Sequence, residues 1–173
     1  MRSRGAIVLS FFAALWAFLA LHLSGQVLWM QVMPFVLSLV LILAALNNDR
    51  GVVQPSKEER GRMGRAVMLW SAVEGVAIAG GINVLANTGH SEWGTAFVAL
   101  VVGLHFFPLA LSLRVPLYWL TGLGLIGVAA AGVALVPFGV TQSAAIGLGC
   151  ATVLYLTAFV ITAFAPKARM VEA

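Results

Sequence analysis

The sequence predicts an all-α protein, a polytopic membrane bundle of six transmembrane helices with both termini cytoplasmic. Three observations carry that prediction. Of 173 residues, 61% are hydrophobic and 9% charged, with a mean hydropathy of +1.01, against roughly 45–50% apolar and about 25% charged in soluble domains. A water-soluble fold is excluded. The apolar residues also fall into six stretches, each close to the roughly 20 residues a helix needs to cross about 30 Å of hydrocarbon. Finally, all ten Lys and Arg residues lie in segments that a six-helix chain places on one side.

Helix one is expected over about residues 6–23. Its flank, Arg2 and Arg4 ahead of an apolar run, resembles a secretory signal, but the run is long and no small-x-small site follows, so an uncleaved helix is expected. Helix two is expected over 27–46. The segment 47–65, NNDRGVVQPSKEERGRMGR, then reads as a cytoplasmic loop with five basic and three acidic residues. It serves as a topology determinant and as a candidate docking site for anionic lipid or a cytosolic partner. Helices three to six are expected over 66–86, 93–113, 117–136 and 142–165. Strands are excluded, because lipid-exposed backbone must be satisfied within its own segment and barrel strands would alternate in polarity.

Orientation follows from the positive-inside rule. Arg2 and Arg4 precede helix one; Arg50, Lys57, Arg60, Arg62 and Arg65 lie between helices two and three; Arg114 follows helix four, and Lys167 and Arg169 follow helix six. Arg65 and Arg114 are the topology anchors of helices three and four. Pro116 closes helix four beside Arg114, whose long side chain can reach the headgroups. With no organelle signal, the expected location is a bacterial inner membrane, and residues 1–173 read as one integral membrane domain.

Two helices expected to run inward share P-[FL]-x-L-S-L, with Pro34 and Pro108 aligned. A parallel duplication is one reading, in which helices two and three correspond to four and five. Both prolines are expected to kink their helices. Helix five is rich in glycine (Gly122, Gly124, Gly127, Gly132) and is expected to be central in the bundle or to contact a second copy or a membrane partner. Its GLGLIG matches the dinucleotide fingerprint only as a string, since no strand precedes it and no soluble βαβ unit surrounds it. Nucleotide and nucleic-acid binding are excluded. The lone Cys150 allows neither an internal disulfide nor a cysteine zinc site. His22, His90 and Glu92 sit at the outer end without metal-binding spacing, no hydrolase or P-loop motif is present, and no metal or cofactor is expected.

Glu74 in helix three and His105 in helix four are ionisable at depth. Glu74 lies nine residues after Arg65 and His105 nine before Arg114, which puts both about 13 Å from the cytoplasmic face. Counting from His90 in the short external turn also sets them level, so a Glu74–His105 pair on adjacent antiparallel helices is expected. Pro108 deprives the Leu104 carbonyl of its donor one residue from His105. Intramembrane ionisable residues mark ion and proton paths, so Glu74 and His105, with Asn83 further up helix three, are the candidate ion, proton or substrate site of a small channel or transporter. The alternative is a scaffold or accessory subunit in which the pair only pins two helices. Gln31 and Gln142 are expected at the outer interface, and Trp29, Trp70, Trp93 and Trp119 in an aromatic belt.

Overall fold

A computed structural model describes residues 2–48 and 56–164, with side chains from Gly5 onward. Six helices make up the described chain: α1 Arg2–Leu23, α2 Leu28–Asn48, α3 Lys57–Asn87, α4 Gly94–Leu113, α5 Leu117–Leu135 and α6 Val140–Ala163. A short 3₁₀ turn, Ser91–Trp93, precedes α4. All six are long and apolar enough to cross a membrane.

The segment expected to be a loop up to residue 65 is helical from Lys57. Ser56 accepts a hydrogen bond from the Glu59 amide at 3.2 Å, with Glu58 and Glu59 in the first turn of α3, where carboxylates favour the positive end of the helix dipole. Ser56-Lys57-Glu58-Glu59 is the S-x-x-E start signal. Helix α3 therefore reaches 31 residues, about ten more than a span requires. Arg50, Lys167 and Arg169 lie outside the described residues.

Three helix ends close in one way. After α1 the Gln26 amide reaches back to the Leu21 carbonyl, after α3 His90 to Leu85, and after α4 Val115 to Ala110, at 3.1, 2.8 and 3.1 Å. This closure needs a left-handed residue just past the helix. Gly25 (φ 66°) and Gly89 (φ 79°) supply it without a Cβ penalty. After α4 the residue is Arg114, at φ 55°.

Helix α6 is the hub, with half of its apolar window buried. On one side α1 lies along it, burying Ala13, Ala14, Ala17 and Ala20, and Gly147 lets the α1 backbone at Trp16 and Ala20 come close. Helix α2 packs on α1 and touches α6. On the other side α5 bridges α6 and α4. Gly132 admits Ile146, Gly124 admits Val153, and Gly122 meets the Gly103 backbone of α4. Gly127 has no neighbour within 4 Å. The glycines of α5 thus serve contacts within the chain, and one faces outward.

Helix α3 packs on α4 and on the 3₁₀ turn alone among the described elements, and buries no residue fully. Its half-buried positions are Met63, Ala66, Trp70, Glu74, Ile78, Gly81 and Leu85. Steps of three and four residues keep these on one stripe, so one neighbour accounts for all of them. Helices α2 and α3 make no contact among the described residues, whereas α4 and α5 pack closely. The two proposed repeat hairpins are therefore not packed alike.

Candidate site between α3 and α4

Glu74 lies on the stripe that α3 turns toward α4. His105 sits on α4 beside Phe106, whose ring meets the imidazole edge-on at 6.1 Å. The imidazole Nδ1 is 3.2 Å from the Trp70 carbonyl and 3.6 Å from Glu74 Oε2. A carbonyl can only accept, so Nδ1 carries the hydrogen and donates to Trp70. Trp70 is also the helical partner four residues before Glu74, so its carbonyl serves the Glu74 amide as well. At 3.6 Å the carboxylate is too far for a good hydrogen bond, but it is close enough to act as the counter-charge of an imidazolium. The His105 side chain is 9% exposed and that of Glu74 20%, so the carboxyl group is the more accessible member.

Chemically, this arrangement can take two states that differ by a proton. With Nδ1 committed to Trp70, neutral His105 presents Nε2 as its only acceptor. A proton taken there turns the ring into a cation beside Glu74, and its loss restores the neutral ring without breaking the Trp70 bond.

The other candidates do not join the pair. Asn83 lies nine residues further along α3, about 13 Å away, exposed, with its Oδ1 accepting from Asn87 Nδ2 at 2.7 Å. Pro108 is half-buried on α4, three residues from His105. Pro34 is buried on α2, a helix without contact to α3 or α4. Its carbonyl accepts from the Tyr155 hydroxyl at 2.6 Å. Arg65 and Arg114 are both exposed. The contact at Glu74 and His105 fixes the register of α3 on α4, so these two arginines, each nine residues away, occupy the same end of the pair of helices.

The sequence does not announce the polar junction of α1, α2 and α6. Ser38 of α2 donates to the Ser10 carbonyl of α1 at 2.5 Å and lies 3.0 Å from Tyr155 Oη of α6. Three helices meet there, and Pro34 was the available signal. Gln142, in the first turn of α6, is buried against the end of α5, at 2% exposed. Its amide donates to the Gly132 and Val136 carbonyls at 3.3 and 3.2 Å; Gly132 also accepts from the Val136 amide, so it is the Val136 carbonyl, past the end of α5, that depends on Gln142. Gln31 is half-buried beside His22, whose Nδ1 is 3.3 Å from Gln31 Oε1.

At the α3–α4 turn, His90 Nδ1 is 3.4 Å from Glu92 Oε1. The Glu92 carboxyl is held below its ordinary range, first by its own backbone N–H and then, against slight desolvation, by His90. No group of three metal-ligating side chains forms among the described residues. In comparisons with known proteins, no family model, no curated protein and no solved structure matches this chain.

Proposed function

We propose that the chain is a small proton-linked channel or transporter of the bacterial inner membrane, with both termini cytoplasmic. In this reading Glu74 and His105 exchange a proton as an ion or small solute passes. The observation that carries it is the imidazole held across two helices by a backbone carbonyl, with a partly accessible carboxyl group 3.6 Å from the same nitrogen. A second support is that α3, which brings the carboxyl group, has α4 as its only helical neighbour among the described elements. Motion of α3 against α4 would change access to the pair while disturbing little of the core. Six short helices would enclose a path together with a second copy, for which α5 offers its outward face at Gly127.

The same geometry favours a second reading, in which the His105–Trp70 bond pins α3 to α4 in a scaffold or accessory subunit. Such interhelical bonds contribute about 0.6–2 kcal/mol in membranes. Reconstituted vesicles separate the readings. With a pH-sensitive dye inside and a potassium diffusion potential imposed, wild type should change the lumenal pH, and Glu74→Gln and His105→Ala should abolish that change. Wild-type vesicles indistinguishable from protein-free ones, or variants that conduct like wild type, would refute the transport reading.

A further inference from the structure

Helix α3 is continuous from Lys57 to Asn87. Its extra length is all at the end that carries charge: Lys57, Arg60, Arg62 and Arg65 against Glu58 and Glu59, all six exposed. Glu58 stands one turn before Arg62, the spacing best suited to an ion pair. Even so, none of these four cations has an ion-pair partner among the described residues. The Glu74–His105 contact brings a fifth exposed cation, Arg114 at the end of α4, to the height of Arg65. The nearest apolar turns, from Ala66 on α3 and up to Leu113 on α4, belong to the predicted spans.

We propose that this end of α3 and α4 binds the headgroups of anionic lipid, through Arg62 and Arg65 on the side that α3 turns away from α4, with Arg60 and Arg114 adding charge at the same end. The surface fits lipid better than a soluble acidic protein because the cations sit on a rigid continuation of the span itself. A headgroup phosphate then meets the guanidinium groups while its acyl chains lie along the exposed apolar side of α3, at Met68 and Leu69. Arginine forks match phosphate oxygens two at a time. The inference rests on α3 crossing a bilayer and not on the transport reading, so it survives if no flux is found.

The test uses the full chain in detergent, given mixed micelles of phosphatidylglycerol and phosphatidylcholine, with retained lipid counted by native mass spectrometry. Wild type should retain phosphatidylglycerol preferentially. The preference should fall about fivefold for each arginine removed in Arg60→Gln, Arg62→Gln and Arg65→Gln, and should be kept or strengthened in Glu58→Gln/Glu59→Gln. In about 1 M salt, where screening acts within roughly 3 Å, the wild-type preference should largely disappear. Equal retention of both lipids by wild type overturns the proposal, as does an undiminished preference in the arginine variants. The salt series needs no variant, so a preference unchanged by salt overturns it even if the substitutions prevent folding.

Discussion

Replacing Gly122 by alanine tests the crossing that holds α4 against α5. A Cβ built there would lie 2.7 Å from the Gly103 carbonyl oxygen and 2.7 Å from Phe107 Cε1. Carbon–oxygen contacts of this kind settle near 3.3 Å or beyond, so the two backbones must part by about 0.6 Å. Phe107 cannot simply turn aside, because its ring stacks on Trp119 with centroids 5.0 Å apart. Overpacking of this kind costs about 1–3 kcal/mol. Gly127→Ala on the same helix is the control, since its Cβ would meet nothing within 4 Å. Both substitutions gain the same helix propensity, about 1 kcal/mol, so the difference between them isolates the contact. Unfolding in micelles of rising dodecyl sulfate fraction, followed by tryptophan fluorescence, should show Gly122→Ala less stable than Gly127→Ala by about 1–3 kcal/mol. Equal stabilities would refute the close approach of α4 and α5.

The same unfolding assay checks three further expectations. Tyr155→Phe removes the donor to the Pro34 carbonyl and the contact with Ser38, and should cost about 0.6–1.7 kcal/mol; no loss would place the α1–α2–α6 junction elsewhere. Gln142→Leu strips the Val136 carbonyl of a buried donor and leaves the Gly132 carbonyl with the Val136 amide alone, and should cost about 1–3 kcal/mol. Arg114→Gly relieves the left-handed backbone after α4 and should stabilise the chain by up to about 1 kcal/mol, whereas a clear loss would show that the arginine side chain outweighs its strained backbone.

The six helices were legible because each stretch is long and apolar enough to cross a membrane, a setting in which backbone groups must be satisfied within their own segment. The level placement of Glu74 and His105 followed from counting residues along two helices joined by a short turn. Rotation about each axis did not, and rotation decides whether two side chains at one height meet. The start of α3 is legible in Ser56 and Glu59, but the polarity of its charged first turns alone resembles that of a loop. The burial of Gln142 was not legible, because an amide near a helix end is stable either in the interface or against carbonyls of a neighbouring helix end. The order of helices around α6 left no trace in the sequence. It depends on which small residues interlock, and alanine and glycine occur throughout.

The central claim is that Glu74 and His105 act as one protonation site. Nitrogen-15 magic-angle-spinning spectra of the His105 ring in bilayers, recorded across pH for wild type and Glu74→Gln, test it most directly. The account predicts that removing the carboxylate moves the titration of His105 while Nδ1 keeps its bond to the Trp70 carbonyl. Superimposable titrations in the two proteins would contradict it.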